Sequence, residues 1–373
     1  MSDFGFLGKT ISVDIPTEED ETSNFGDAGE VLTETAFEQE IRGKVNIIIL
    51  NPKNENFDEM EVGDIRLFGK SLVDYVINSC PFSPKVLSTM MVVDVLAEIK
   101  PYLNNCEYTL VLYSDTPLIT KRTILEILEF VYYKGINVCK FNRGYCFKTE
   151  YIKRVSEIFS AQDYTFEEED FITVVDTASL GLVKEIMKNR ICAFHMKNGV
   201  YIASPDETYI ESDVIIDKGV QVEANTRLCG KSEIGKNAII GHGSVVDNSK
   251  VDADASILNS VVTNSVIGVG TVVQNAQIVE SKVDENVSIA DNVYISASSV
   301  GDGANIGANT HIYCANIENE VKVAEDVLIA KSEGYRTVIG KETSIGAGSK
   351  ILGGITISKN AEIKPFEVVT KNV

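Results

Sequence analysis

The chain has 373 residues, and its 44% hydrophobic content is enough to bury a large core and to form two or three domains. The formal net charge is −21 and no block rich in Lys or Arg interrupts it, which argues against a nucleic acid or an anionic membrane as the main partner. The seven cysteines are scattered without a C-x-x-C pair, which is typical of reduced thiols in a cytosolic protein and predicts no zinc site.

The N-terminal segment is acidic. Residues 1–40 hold eleven Asp or Glu against the single Lys9, which predicts a flexible leader, although residues 10–13 could add an edge strand. No basic-then-apolar signal opens the chain, and no apolar run approaches the ~20 residues that span a bilayer. We therefore expect a cytoplasmic protein.

Residues 41–198 alternate between strand-like and helix-like patterns. The segments 45–50 and 108–113 are continuous apolar runs, as in parallel strands that are buried on both faces. The alternation predicts an α/β domain with a mostly parallel sheet, followed by a hinge over residues 195–200. The other predicted elements are helices at 72–77, 91–103, 123–133 and 181–193 and a short strand at 136–139.

One carboxylate stands where such a domain binds ligands. Asp115 follows the predicted strand at 108–113, at the carboxyl end of the sheet, where open α/β folds form their crevices. A carboxylate in that position is suited to holding Mg²⁺ against the phosphates of a nucleotide. The alternative is an N-cap or turn aspartate that satisfies backbone N–H groups.

Residues 199–373 carry a repeat. An aliphatic residue recurs at every sixth position from Ile210 to Val246 and from Ile339 to Val369, with steps of five at several places between. This period fits neither a helix nor a simple strand, and it predicts a parallel β-helix with three short strands per coil and the aliphatic residues inside. An ordinary sandwich with coincidental spacing is the alternative. Val261, Val272 and Val287 predict a flat apolar face that would close three copies into a homotrimer.

Two segments carry a resemblance to a known family. Residues 108–119 closely resemble the "LVLYGDTPLI" segment of bacterial N-acetylglucosamine-1-phosphate uridylyltransferases, which also acetylate glucosamine-1-phosphate. Residues 190–200, followed by 205–210, look like the junction between their two domains. The resemblance runs from about Val45 to the C-terminus.

The resemblance implies a fold of class α/β + β. It comprises a shortened nucleotidyltransferase-like (GT-A or Rossmann-like) domain and a left-handed parallel β-helix of hexapeptide repeats. It further implies a transferase of UDP-N-acetylglucosamine and cell-envelope precursor biosynthesis, with Mg²⁺ for nucleotidyl transfer, acetyl-CoA as a co-substrate, and UTP and a sugar phosphate as substrates.

The family's nucleotide site is matched only in part. Tyr113 and the metal-binding Asp115 match, Thr89 lies in the stretch that resembles the uracil-reading segment, and Asn142 and Gly144 resemble the sugar-contacting N-T-G. The second metal ligand of the family has Asp176 as its nearest polar counterpart. The glycine-rich phosphate loop that follows the first strand has no match here, and about sixty residues before the N-T-G motif are missing.

The acetyltransferase site is matched less well. Aligned without gaps, the family's phosphate-binding arginine and lysine fall at Ser296 and Tyr313, its general-base histidine at Glu325 and its sugar-orienting tyrosine at Leu328. Residues 331–337 take the place of its C-N-Y-D-G loop. Glu325 is a weak candidate base because the cationic clamp is absent. His242 and His311 are interpreted as surface residues.

The last coils still resemble the acetyl-CoA groove. The family would place the thioester along small residues and a lysine here, namely Ala347, Gly348, Gly353, Gly354 and Lys364. The alternative is that glycine is simply the corner residue of this fold. The sequence thus predicts a sugar-nucleotide protein with both active sites degraded. The alternative is a non-catalytic regulatory or scaffolding paralogue.

Overall fold

The computed structural model describes residues 35–90, 94–158, 161–330 and 334–373. It divides into two compact units, an α/β unit that ends at Phe194 and a β-helix unit from His195 to Val373. Most of the predicted acidic leader, including the edge strand at residues 10–13, lies outside the described residues. In the described part of the chain, no helix is long and apolar enough to cross a bilayer.

The α/β unit contains six helices and nine strands among its described residues. The helices are α1 (Ala36–Ile41), α2 (Leu72–Ser79), α3 (Val95–Ile99), α4 (Lys121–Lys134), α5 (Thr149–Ile152) and α6 (Thr177–Lys197). The strands are β1 (Val45–Asn54), β2 (Met60–Glu61), β3 (Arg66–Leu67), β4 (Lys70–Ser71), β5 (Lys85–Thr89), β6 (Tyr108–Tyr113), β7 (Val138–Phe141), β8 (Gly144–Lys148) and β9 (Gln162–Tyr164).

The two apolar runs form the centre of the sheet, as predicted. Strand β1 pairs in parallel with β5 and β6, and its residues alternate between two cores. Ile47 and Ile49 pack in a core with helix α4, whereas Ile48 and Leu50 pack in a second core with α3. Burial on both faces explains why the run is continuously apolar instead of alternating.

The prediction of a mostly parallel sheet is wrong. The sheet is mixed, because β6 pairs with β8 in the antiparallel direction. Strands β7 and β8 form a hairpin that the sequence pattern did not reveal. The strand expected at 136–139 is displaced to Val138–Phe141. Antiparallel pairing needs only a tight turn, here Asn142 and Arg143, whereas a parallel partner would need a helical crossover.

Several predicted helix limits also change. The described part of the helix expected at 91–103 is α3 followed by a 3₁₀ turn, with Asp94 as N-cap. The helix expected at 181–193 runs from Thr177 to Lys197, so the first half of the predicted hinge is helical. The last residues of the predicted leader belong to α1. This helix begins with a capping box and buries Phe37 in the core.

The β-helix consists of three parallel ladders. The first ladder contains Tyr201–Ile202, Gln221–Val222, Ile239–Ile240, Ser256–Leu258, Val272–Gln274, Ser288–Ile289, Asn305–Ile306, Lys322–Val323, Ser344–Ile345 and Glu362–Ile363. The second ladder contains Tyr209–Ile210, Arg227–Cys229, Val245–Asp247, Val261–Thr263, Gln277–Val279, Tyr294–Ser296, His311–Tyr313, Leu328–Ile329, Lys350–Ile351 and Val368–Val369. The third ladder contains Ile215–Ile216, Glu233–Ile234, Lys250–Val251, Val266–Ile267, Lys282–Val283, Ser299–Val300, Ala315–Ile317, Thr337–Ile339 and Thr356–Ile357.

The aliphatic residues that recur along the repeat fill the interior of the β-helix. The predicted fold class is confirmed. Every aliphatic residue of the beat from Ile210 to Val369 is buried. Buried hydroxyls add a second internal ladder, because each accepts a hydrogen bond of 3.0–3.2 Å from a backbone N–H one coil later. Its members are Ser232, Ser249, Ser265, Ser281 and Ser298.

Asparagine forms many of the corners. Ten asparagines of the β-helix have positive φ angles, a conformation that asparagine tolerates better than most residues.

The prediction that Val261, Val272 and Val287 share one flat face is wrong. Val261 is on the second ladder, Val272 is on the first, and Val287 is buried in the interior. A period of six places outward residues on three different faces, which the linear pattern did not separate.

Candidate functional site

The carboxyl ends of β1, β5 and β6 bring the predicted nucleotide-site residues together. Thr89 ends β5, Tyr113 ends β6, and Asp115 follows two residues later. The backbone carbonyl of Asp115 accepts a 2.8 Å hydrogen bond from the N–H of Val174, which leads to helix α6. The fold thus builds a crevice edge where the sequence predicted one.

The carboxylate of Asp115 is bound by an arginine. Arg143 Nη2 lies 2.6 Å from Asp115 Oδ2, and its Nε donates to Oδ1 at 3.3 Å. The guanidinium also lies over the ring of Tyr113, 4.0 Å from the centroid. The side chain of Asp115 is 1% exposed and that of Arg143 is 30% exposed, so a buried carboxylate is held by a bidentate, partly exposed guanidinium that also contacts an aromatic ring.

Burial sets the protonation behaviour of this aspartate. Removal from water raises the pKa of Asp115 above its usual range, and the hydrogen bond and charge of Arg143 only partly offset this. Asp115 therefore depends on Arg143 to remain ionised. Neither the metal-ligand role nor the N-cap alternative anticipated this partner, although the arginine lies within the Asn142–Gly144 segment that the sequence singled out.

The crevice itself is filled by the chain. Asn51 Oδ1 accepts hydrogen bonds from the N–H of Gly63 at 2.9 Å and from Ser114 Oγ at 2.6 Å, and its Nδ2 donates to Glu61 Oε2 at 2.7 Å. A Cβ at Gly63 would lie 2.5 Å from Asn51 Oδ1 and 2.9 Å from the Cβ of Ser114. The segment that contains Glu61 and Gly63 therefore packs against the strand ends, where the family's phosphate loop would run.

Two of the remaining predicted substrate contacts, Asn142 and Gly144, have structural roles. Asn142 Oδ1 accepts the N–H of Phe166 at 3.0 Å. Gly144 has φ +152°, and a Cβ there would lie 2.5 Å from the ring of Phe141. Thr89 is buried, and its hydroxyl has no hydrogen-bond partner among the described residues.

Asp176 caps helix α6. Its Oδ1 accepts the N–H of Ser179 at 2.8 Å and the Ser179 hydroxyl at 2.7 Å. The backbone hydrogen bond from Ser179, followed by that from its side chain, lowers the pKa of Asp176. The carboxylate is thus already occupied at the helix N-terminus.

These residues do not fit a magnesium site. Both oxygens of Asp115 are hydrogen-bonded to the cation of Arg143, so Mg²⁺ would have to displace the guanidinium or bind a carboxylate whose charge is already neutralised. Within residues 35–90, 94–158, 161–330 and 334–373, no group of three or more His, Cys, Asp or Glu side chains is placed to hold a metal ion.

The positions matched to the family's acetyltransferase site lie on successive coils of the second ladder or at the corner before it, and Ser296 and Tyr313 are register partners. Glu325 is exposed at a corner, where its backbone carbonyl accepts the N–H of Gly348. His242 is exposed at another corner. Tyr313 and Leu328 lie on the outer face of the second ladder. The sequence analysis did not predict that Tyr313 belongs to an aromatic cluster. The pattern that could have revealed the cluster is the presence of outward-facing aromatic residues one coil apart.

The predicted acetyl-CoA contacts line the last coils. A Cβ at Gly348 would lie 2.5 Å from the ring of Phe366, and the N–H of Gly354 donates to Thr337 Oγ1 at 3.0 Å. Gly348 and Gly354 have φ angles of +68° and +79°, so the backbone conformation of these corners explains both glycines. Ala347 accepts the N–H of Phe366 through its carbonyl, Lys364 is exposed, and Gly353 is half-buried.

Comparisons with known proteins bear on this pattern. No model of a known protein family matches the chain. The bifunctional protein GlmU of Streptococcus suis is 32% identical over 210 residues, which cover 55% of this chain and 46% of that protein. The bifunctional protein GlmU of Streptococcus equi subsp. zooepidemicus is 32% identical over 234 residues, which cover 60% and 51%. The bifunctional protein GlmU of Clostridium beijerinckii is 31% identical over 212 residues, which cover 56% and 47%.

Solved structures of acyltransferases are also similar. LpxA from Acinetobacter baumannii matches 46% of this chain and 67% of its own, with 16% identity and a TM-score of 0.35. The UDP-N-acetylglucosamine acyltransferase from Campylobacter jejuni matches 46% and 68%, with 18% identity and a TM-score of 0.32. The resemblance predicted from the sequence is confirmed: the chain is similar to bifunctional GlmU proteins at about 30% identity over somewhat more than half of its residues, and it spans about half the length of these curated relatives.

Proposed function

We propose that this chain is a sugar-nucleotide metabolism protein related to the bifunctional GlmU proteins, and that its α/β domain no longer transfers nucleotidyl groups. The observation that carries the proposal is the bidentate pair between Arg143 and the nearly dry Asp115. Transfer of a nucleotidyl group needs a preorganised site that neutralises phosphate charge. Here the carboxylate that would hold the metal is neutralised by the protein itself.

The filled crevice supports the same proposal. A glycine-rich loop can cradle phosphates with its backbone N–H groups only if those groups are free. In this chain the N–H of Gly63 is bound to Asn51, and the segment that contains it packs on Ser114. Opening that space for a nucleotide would break the hydrogen bonds of Asn51 without an equivalent replacement.

Any chemistry that survives belongs, on this proposal, to the β-helix. Acyl transfer from a CoA thioester would place the pantetheine arm along the last coils, with its phosphates near exposed lysines such as Lys350, Lys359 or Lys364. Three copies would assemble through the outer face of the second ladder, where Val245, Val261 and Val279 are only partly buried.

A non-catalytic regulatory or scaffolding role is the second candidate. The observation that favours it is that the positive φ angles of Gly348 and Gly354 account for glycine at these corners, which leaves less reason to assign them to a ligand. A regulatory paralogue would keep the folded β-helix for assembly while both sites degrade.

The nucleotidyltransferase part is tested by direct assay. With Mg²⁺, UTP and N-acetylglucosamine-1-phosphate, we expect no pyrophosphate release above that of the Asp115→Asn variant. The matched variant Arg143→Gln frees Asp115 and should remain inactive, because the crevice is still filled. Turnover at ordinary enzyme rates that Asp115→Asn abolishes would contradict the proposal.

The β-helix part is tested by binding and mass. Calorimetry should give heat with acetyl-CoA and none with UTP, and the acetyl-CoA signal should weaken in the Lys350→Ala, Lys364→Ala double variant. Light scattering should give about three times the 40.8 kDa chain mass. Silence with both ligands from a trimer would select the scaffolding candidate, and a monodisperse monomer would contradict the assembly.

A further inference from the structure

Strand β9 leaves one edge of the mixed sheet open. Within the described residues the strand order ends at β9, which pairs in parallel with β7 on its other side. All three of its residues, Gln162, Asp163 and Tyr164, are exposed. The outer backbone N–H and C=O groups of an edge strand are available to pair with an added strand. This edge can therefore be extended by an incoming chain in an extended conformation.

Three aromatic rings lie at this edge. The ring centroid of Tyr164 lies 4.3 Å from that of Phe130 in α4 and 4.6 Å from that of Phe166. We call these three residues the edge cluster. Tyr164 is 43% exposed, whereas Phe166 packs against the core and donates its backbone N–H to Asn142. The edge cluster thus continues the hydrophobic core to the surface, where the side chains of an added strand would contact it.

The charges near the edge cluster are mostly negative. Lys134 Nζ lies over the ring of Phe130, 4.6 Å from its centroid, so one ring of the cluster already contacts a cation. On β7, Lys140 is the register partner of Asp163. Exposed carboxylates lie in β9 or directly beside Phe130 and Phe166 in the sequence, namely those of Glu129, Asp163, Glu167 and Glu168. The surface therefore favours a partner with positive charge.

We propose that the outer edge of β9 binds an extended basic peptide segment of a partner protein as an added strand. Alternate side chains of such a strand meet opposite faces of the sheet. Tyr164 is on the same face as its register partner Phe141, which packs in the core with α4, so Asp163 is on the other face. Arginine side chains of the partner can pack on the edge cluster on the first face and pair with Asp163 on the second. The inference goes beyond the proposed function, since it involves neither the crevice nor the β-helix.

A second copy of this chain is a less suitable occupant. Two β9 edges that paired with each other would bring Asp163, Glu167 and Glu168 close to the same carboxylates of the other copy, and like charges on paired strands are destabilising. The acidic segment of residues 1–34 is unsuitable for the same reason, because Lys9 is its single cation. A segment that contains arginine instead supplies cations to both the rings and the carboxylates.

Fluorescence anisotropy on the full chain tests the proposal, with a short labelled peptide of alternating arginine and valine as the probe. At an ionic strength of about 0.15 M, which screens distant charges, we expect a Kd on the order of 10 μM. The same peptide with its central valine replaced by proline keeps the charge but cannot pair as a strand, and should bind about tenfold more weakly.

Variants of the chain locate the binding surface. Tyr164→Ala should weaken binding of the valine peptide by about fivefold or more, and the double variant Glu167→Lys, Glu168→Lys by about tenfold or more. Tyr133→Ala is the control for the ring, because Tyr133 is an exposed tyrosine of α4 that contacts Phe37 and Tyr132. The control for charge is Glu207→Lys, Glu285→Lys, which changes two exposed glutamates of the β-helix.

Each outcome decides the proposal. Weaker binding in the two edge variants, with unchanged circular dichroism and unchanged binding in both controls, supports it. Absence of binding overturns it, as does equal binding of the valine and proline peptides, which would indicate attraction by net charge without strand pairing. Equal weakening by the two charge-reversal variants would likewise place the attraction outside the β9 edge. A lower mass of Tyr164→Ala than of wild type by light scattering would make the edge an interface between copies and would also overturn the proposal.

Discussion

The α/β domain and the β-helix satisfy their buried polar groups in opposite ways. In the β-helix one arrangement recurs on every coil, with an aliphatic residue inside and hydroxyls that accept a backbone N–H from the next coil. In the α/β domain the buried carboxylates Asp115 and Asp170 each have an arginine partner of their own, Arg143 and Arg190. Where the same arrangement recurs on many coils, the loss of one member affects one coil. Where an ion pair occurs only once, the buried charge of each partner depends on the other.

The two domains therefore also differ in which residues can be substituted without disturbing the fold. A coil can exchange its outward residues without disturbing the interior, because inward and outward positions alternate along each strand. In the α/β domain Asn51 is hydrogen-bonded to both Glu61 and Ser114, so a change at one of these crevice residues disturbs the others. The following experiments would break or sharpen this comparison.

The largest effect should come from a cavity within the repeat. Ile278→Ala removes a fully buried side chain from a middle coil, and we expect a loss of about 4 kcal/mol in the free energy of unfolding. Ile363→Ala, in one of the last coils, should cost about 1–2 kcal/mol because the end of a solenoid can open locally. Urea unfolding measures both variants. Equal costs would show that the β-helix is not a sum of neighbouring coils.

The next largest loss of stability should come from a buried ion pair that occurs once in the α/β domain. Asp170 is 3% exposed and accepts hydrogen bonds from Arg190 at 2.9 Å and from Thr120 at 3.2 Å. Asp170→Ala removes the buried acceptor shared by Arg190 and the hydroxyls of Thr120 and Thr123, and should cost about 3 kcal/mol. Arg190 keeps its bonds to Glu169 and to the carbonyl of Leu118. The control Glu126→Ala removes an exposed helix pair and should cost at most about 0.5 kcal/mol. A similar cost for both variants in thermal unfolding would contradict the special role of Asp170.

Arg143→Met should produce a pH-dependent loss. Without Arg143, burial alone acts on Asp115 and raises its pKa further above the unfolded value. The folded variant then holds this proton more tightly than the unfolded chain, so its stability should rise as the pH falls from 7 through the folded pKa. At pH 7 we expect a cost of about 2–3 kcal/mol.

Chemical unfolding at several pH values from 7 to 4, compared with wild type, measures this effect. The double variant Asp115→Asn, Arg143→Met removes the titrating group and should lose the added pH dependence. If Arg143→Met alone has the same pH profile as wild type, the ion pair does not control the protonation of Asp115.

The smallest effect concerns a corner. Asn292 has φ +58°, and its Nδ2 donates to Asn309 Oδ1 at 3.0 Å. Asn292→Ala and Asn292→Gly both lose this exposed hydrogen bond, so their difference isolates the backbone conformation. We expect alanine to be about 1 kcal/mol less stable than glycine, because a Cβ is disfavoured in the left-handed region. Equal melting temperatures would show that the corners are not strained.

The sequence by itself determined the interior of the β-helix and the centre of the α/β sheet. The recurrence of an aliphatic residue every five or six positions identifies the buried residues from Ile210 to Val369 without further information, since each step corresponds to one of the three strands of a coil. The runs at Val45 and Tyr108 were likewise readable, because a strand buried on both faces must be apolar throughout.

Only the tertiary structure decided the candidate site. Asp115 and Arg143 are 28 positions apart, and they meet because β8 pairs antiparallel with β6 and brings its hairpin turn to the end of that strand. A motif predicts that a carboxylate stands at a strand end, but the space and charge around it depend on which other segment arrives there. The filled crevice has the same origin, since it is made by residues that only the folded chain places side by side.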